Sequence, residues 1–169
     1  MGLLEEIHAQ SQPRIEDVDK IYIETGPVAF SSAGIQKPKA GVEGKFSLWF
    51  LAALALAEGN VSLDKFTNHK VQDPMLQNLL NKVEAHLVRE RKFGALVQVH
   101  MADGSMIEKT REHPKGSPQN PLSFEEIENK FKNTAALHLS RNRILELIEQ
   151  VRQLGELKDV SALARSLST

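Results

Sequence analysis

There is no cysteine in this sequence, which excludes disulfides, thiolate metal sites and cysteine nucleophiles and is compatible with a reducing compartment. The cytoplasm is the default expectation. There is no excess of either charge: 21 basic and 22 acidic residues are intermixed along the chain, for a formal charge of -1. That balance provides no broad field for phosphate backbones or anionic lipid, so neither nucleic acid nor a membrane is an expected partner. Long apolar runs are absent as well. The longest, from Leu48 to Ala57, is about half the roughly 20 residues that a bilayer requires. The opening Met1-Gly2-Leu3-Leu4-Glu5-Glu6 lacks the basic and apolar regions of a secretory signal.

What the chain does have is material for a core. It is 41% hydrophobic and 25% charged, the make-up of one globular domain over residues 1–169. Leu3, Leu4 and Ile7 follow helical spacing. Past Pro13, Ile21 and Ile23 alternate with Lys20, Tyr22 and Glu24, and residues 15–24 read as a strand. Residues 25–44 hold glycines and prolines with little periodicity and read as a long loop. In residues 45–58, Phe46, Leu48, Trp49, Phe50, Leu51, Leu54 and Leu56 cover nearly every helical face, the pattern of a helix at the centre of a domain. Gly59 is placed to end it.

Ser62 is placed to open a short helix over 63–66, and Asp73-Pro74 has the form of an N-cap with proline at the first helical position. Residues 82–88 alternate again and read as a strand. The segments 95–101 and 105–111 flank Ala102-Asp103-Gly104, and Asp-Gly signals a two-residue hairpin turn with positive φ at both positions. Ser123 followed three residues later by Glu126 is a capping box, with Ile127 and Phe131 on one face of the helix it opens. Ser140 or Asn142 starts another helix with Ile144, Leu145, Ile148 and Val151 inward, and residues 160–167 form a last short one. With no β-α-β rhythm, the expected class is α+β. A small antiparallel sheet of about four strands (15–24, 82–88, 95–101, 105–111) should pack with helices around the central apolar helix 45–58.

None of the six histidines falls into a His-x-x-x-His or His-Glu-x-x-His pattern, so no metal site is expected and they read as ordinary surface or core residues. His113, beside the proline-rich stretch 114–121, stands nearest to a loop of interest. Gly41-Val42-Glu43-Gly44-Lys45-Phe46-Ser47 lacks the spacing of either common phosphate-binding glycine loop. A more general property survives: a helix N-terminus presents unpaired N–H groups and partial positive charge, and Lys37, Lys39 and Lys45 cluster around this one in sequence. A carboxylate would be stabilised there. The plainer alternative is that the lysines are solvated and Glu43 is helix-capping charge. Ser47 has no base beside it in sequence, which favours a packing or hydrogen-bonding serine over a nucleophile.

Taken in order, these segments resemble the C-terminal domain of the MmgE/PrpD family. Pro38 to Leu48 resembles the family stretch P-x-T-G-x-E-A-K-F-S-L, and Glu58-Gly59 closes the small-residue helix that follows. Val61 to Phe66, Asp73-Pro74, Lys82-Val83, Ala102-Asp103-Gly104, the loop His113 to Ser123 and Glu128-Asn129-Lys130-Phe131 continue in register, so the resemblance covers about residues 15 to 155. Ala40, Gly44 and the pair Trp49-Phe50 depart from the usual threonine, alanine and Pro-Tyr, and Phe50 has no hydroxyl to offer a substrate.

The resemblance implies a cytoplasmic lyase of the kind found in propionate catabolism. Such enzymes are dehydratases, decarboxylases or in some members epimerases, act on a polycarboxylate such as 2-methylcitrate or cis-aconitate, and need no cofactor or metal. It further implies a second, N-terminal helical domain, absent from this sequence, that supplies most acid and base residues and the contacts of a homodimer, while the domain seen here closes over the substrate. Lys39, Lys45 and Ser47 are the expected substrate-binding residues. No catalytic base is evident, so the chain is expected to be inactive alone. An alternative from a different class is a free-standing interaction or ligand-binding module derived from this domain, using apolar surface that a lost partner once covered.

Overall fold

The computed structural model describes residues 2–156 and 159–166 and divides them between two compact units, 1–121 and 122–169. In the first, α1 (Gly2–Ser11) leads through a 3-10 turn (Ile15–Asp17) into β1 (Val18–Thr25). Then come α2 (Pro27–Ser32), α3 (Gly41–Gly44), α4 (Leu48–Glu58), a 3-10 turn (Leu63–Lys65), α5 (Asn68–Val71) and α6 (Pro74–Asn81). Strands β2 (Val83–Leu87), β3 (Ala95–Met101) and β4 (Met106–Arg111) complete it. The second unit holds α7 (Phe124–Ala135), α8 (Arg141–Arg152), a 3-10 turn (Leu154–Glu156) and α9 (Ser161–Ser166). Leu167, expected to close the last helix, lies outside the described residues. No helix among the described residues is long and apolar enough to cross a membrane.

The α+β class and the four-stranded sheet are as expected. The strand order is β2-β1-β3-β4, with β1–β3 and β3–β4 antiparallel. The third pairing corrects the all-antiparallel expectation: β2 runs parallel to β1, with Ile21 opposite Val83 and Ile23 opposite Ala85. The cause is the connection. Residues 26–82 carry the chain through five helices, and a crossover of that length returns it in the same direction, whereas a tight turn cannot.

The core lies between one sheet face and α1, α4 and α6. Ile21, Ile23, Val97 and Val99 point into it from the strands, and Leu4, Ile7, Leu76 and Leu79 from the helices. At its centre Phe50, Leu54 and Leu56 of α4 are wholly buried, each burial worth about 1.5–3 kcal/mol. Gly59 ends α4 at φ 69 with its N–H on Ala55 O, the left-handed C-cap that glycine adopts without strain.

Several boundaries moved for local reasons. Residues 15–17 form a 3-10 turn rather than the first part of a strand, because Asp17 N–H bonds Arg14 O and the Arg14 guanidinium reaches both Glu16 and Asp17. The central helix starts at Leu48 instead of 45, since Ser47 is extended (φ -117, ψ 106) and caps it. Phe46 therefore sits in the preceding turn, half-exposed, rather than in the core. The loop expected over 25–44 contains α2 and α3, the former started by Pro27 at its first position.

At 102–104 only Gly104 has positive φ. Gly104 N–H bonds Met101 O, and Met101 N–H bonds Ser105 O, a three-residue hairpin loop ending in a left-handed glycine rather than a two-residue one. In the second unit the capping box is present, with Ser123 Oγ accepting from Glu126 N and Ser123 N donating to Glu126 Oε2. Ser140 caps α8, whose buried residues are Ile144, Leu147 and Ile148. Leu145, expected inward, lies off the stripe those three define and is half-exposed, and Val151, on that stripe one turn further along, is half-exposed as well.

Candidate functional site

The segment from Ala33 to Leu48 is a loop tied at its neck. Leu48 N–H donates to Ala33 O (2.8 Å) and Ile35 N–H to Phe46 O (3.0 Å), with an antiparallel bridge between Gly34 and Ser47. Three lysines ride on it. Lys37, Lys39 and Lys45 are all exposed, and among the described residues none of them has a carboxylate within ion-pair distance. Glu43, the one acid inside the loop, accepts from the backbone N–H of Lys39 (2.6 Å) and so braces the loop from within.

Beneath the loop lies the 63–72 segment. Gly41 N–H donates to Asn68 Oδ1 (2.9 Å), Gln72 Nε2 to Lys39 O (3.4 Å), and Lys45 Nζ stands 5.7 Å over the Phe66 ring. The approach at Gly41 is close enough to need a glycine: a Cβ there would lie 2.1 Å from Phe66 O. Phe66 in turn packs on Phe50 of α4, ring centroids 6.4 Å apart.

The N-terminus of α4 is not open to a ligand, contrary to the sequence expectation. Leu48 N–H is taken by Ala33 O, Phe50 N–H by Ser47 Oγ (3.0 Å) and Leu51 N–H by Ser47 O. The neck of the loop and the serine cap satisfy donors that the sequence left unpaired. Ser47 itself is wholly buried, in the packing and hydrogen-bonding role weighed for it from sequence. The structure thus brings Lys39 and Lys45 onto one exposed loop and sets Ser47 behind them.

Behind the loop, at the other end of α4, Glu58 binds both Lys65 and Lys70 in a cluster whose three side chains are each under a third exposed. Burial pushes the Glu58 carboxyl up, but hydrogen bonds and charge from the two lysines outweigh it and hold the group below its ordinary value. Lys70 is correspondingly raised by its hydrogen bond to Glu58. Asn68 and Gln72 were not singled out from the sequence, and Glu58 was named only as the acidic end of the central helix. The first two reach residues 27 and 33 positions away, a separation that no local pattern encodes.

The remaining candidates are structural. His8 Nδ1 lies 2.7 Å from Leu56 O, His86 stacks on Tyr22 with centroids 4.8 Å apart, and the backbone O of His113 accepts from Asn120 Nδ2. Among the described residues no three His, Asp or Glu side chains converge as a metal site would require. An open, mainly apolar cleft of about 440 Å3, lined by Leu4, Ile23, Val97, Leu51 and Phe93 with Arg111 and Lys115 at its edge, includes none of Lys39, Lys45 or Ser47. The lysine loop offers unpaired positive charge on a braced backbone and no general base. An exposed ammonium group of this kind can pair with an anionic group such as a carboxylate.

The chain is similar over residues 2–154 to the family model described as the MmgE/PrpD C-terminal domain. It is 28% identical over 135 residues to the cis-aconitate decarboxylases of Mus musculus and of Homo sapiens, an alignment covering 77% of this chain and 28% of each of those proteins. It is 26% identical over 140 residues to the cis-aconitate decarboxylase-like protein oryM of Aspergillus oryzae, covering 79% of this chain and 28% of that protein. The chain therefore spans a little over a quarter of the length of these curated relatives.

Proposed function

This chain belongs to the MmgE/PrpD family, as its C-terminal domain, and from that premise we propose that it is the closing domain of a lyase acting on a polycarboxylate such as 2-methylcitrate or cis-aconitate. The observation that carries the reading is the pair of exposed, unpaired lysines, Lys39 and Lys45, on a loop whose backbone is fixed from inside and beneath. Removing or relocating a proton next to a carboxylate builds negative charge on the substrate, and a positioned cation stabilises it. Lys39 and Lys45 fill that role. Ser47 contributes by setting where α4 begins. The acid and base come from a separate helical domain, so the chain alone binds without turning over.

The test is a titration of the isotope-labelled chain with cis-aconitate at low ionic strength, read by NMR, together with an assay for dehydration of 2-methylcitrate and decarboxylation of cis-aconitate. Backbone signals of residues 37–46 should shift with millimolar ligand, and Lys45→Ala should weaken the response about tenfold, the equivalent of ~1.4 kcal/mol. An unchanged titration for Lys45→Ala returns that lysine to solvated surface. Turnover by the chain alone would refute the division of labour.

A further inference from the structure

We infer that Glu58 is a positioning residue for the lysine loop, acting through the 63–72 segment, and that disrupting it loosens the loop without touching a ligand. The inference rests on the reading of Lys39 and Lys45 as the carboxylate-holding groups. Its basis is a chain of contacts linking the far end of α4 to the loop at its near end. Glu58 is the last residue of α4, the most deeply buried helix in the chain. Its two carboxylate oxygens take different partners, Oε2 the Lys65 ammonium and Oε1 the Lys70 ammonium. Those lysines bracket three residues beneath the loop, with Gln72, which donates to Lys39 O, beyond them. Phe66 carries the Lys45 ammonium over its ring and its carbonyl against Gly41, Thr67 caps α5 by accepting from Lys70 N, and Asn68 Oδ1 receives the Gly41 N–H.

Competing anchors for this segment are few. Val71 is wholly buried and its carbonyl accepts from Gln77 Nε2 (2.6 Å), which pins the C-terminal end of α5, and Phe66 packs on Phe50; none of these contacts touches the Asn68 side chain. Asn68 itself is exposed, so its orientation comes from the backbone that carries it. Two ion pairs to one carboxylate, on either side of residues 66–68, add a charged tie across that backbone to the anchors at Phe66 and Val71. Their geometry is partly shielded from water: Glu58 is 17% exposed, Lys65 24% and Lys70 27%. Removing the acid also leaves two partly buried ammonium groups without their partner. A neutral residue at 58 therefore frees the platform while the β-sheet and its ladder remain as they are.

The experiment separates the inference from the reading beneath it. In the full chain carrying Glu58→Gln, hydrogen exchange of the Gly41 amide should quicken about tenfold under conditions where the ladder amides of Ile23 and Val97 keep their protection. Cis-aconitate should then bind about tenfold more weakly than to the unaltered chain. Asn68→Ala should quicken Gly41 exchange to the same extent, and adding Glu58→Gln to it should change Gly41 no further, because the path from one to the other is already cut. If Glu58→Gln does not fold, Lys70→Met carries the same expectations for Gly41. Unchanged Gly41 exchange, or equal loss of protection throughout the sheet, overturns the positioning role whatever the ligand does. Failure of cis-aconitate to shift residues 37–46 of the unaltered chain overturns the lysine-loop reading instead, and with it the functional consequence of the Gly41 result.

Discussion

At the scale of single residues, one glycine is held to its size by packing. Gly44 stands where alanine is usual, and a Cβ at this position would lie 2.9 Å from Phe50 Cδ1 and 3.1 Å from Val71 Cγ2. Gly44 and Phe50 are thus close-packed neighbours, through ring atoms that a tyrosine at 50 would share. Alanine would gain about 0.4–1 kcal/mol through the unfolded chain but lose about 1–3 kcal/mol by overpacking. Gly44→Ala is expected to destabilise the chain by ~1 kcal/mol in urea unfolding, and in a Phe50→Leu background the penalty should vanish or reverse. Glu58 gives a pH dependence. Its carboxyl titrates below the ordinary value of 4.5, so its stabilising contribution is complete above that value and is lost as pH falls below it. Acid unfolding of Glu58→Gln should accordingly be less steep below pH 4.5 than that of the unaltered chain, which unfolding midpoints across that range would measure.

At the scale of elements, what the sequence made legible was whatever closes within a few residues. The Ser123–Glu126 box, the Asp73-Pro74 start and the Gly59 stop all lie where the sequence places them, since each is a bond between neighbours. Ser123→Ala should cost α7 about 1 kcal/mol, visible as a lower helical content and thermal midpoint with the sheet signals unchanged. The start of α4 was misplaced by three residues although its cap, Ser47 Oγ accepting from Phe50 N–H, is equally local, because the extended backbone of Ser47 is held by the long-range bridge to Gly34. The candidate site divides the same way. Lys39 and Lys45 were legible as charges beside a helix start. Their supports in the 63–72 segment were not, because Asn68 and Gln72 resemble any exposed polar residue until the fold brings them under the loop.

At the scale of the whole molecule, the main core cluster draws all its buried residues, from Leu3 to Val99, from the first unit. A chain ending at Pro121 is therefore expected to keep the four-stranded sheet, with dispersed NMR signals for β1 and β3; loss of that dispersion would show that residues 122–169 are required for folding. The lysine loop and its platform also belong wholly to this unit, so the shortened chain should keep any affinity for cis-aconitate that the full chain has. The parallel pairing of β2 with β1 adds a direction in time. The β3–β4 hairpin closes over three residues, whereas β1 reaches both of its partners only across long stretches of chain, Ile21 pairing with Val83 and Thr25 with Ala95. Both of those closures carry a larger entropic cost than the hairpin and come later on the folding path. The sheet is thus completed last at β1, the strand that both closures share, and the lysine loop, which lies in the chain between β1 and β2, takes its final form only as this unit finishes folding.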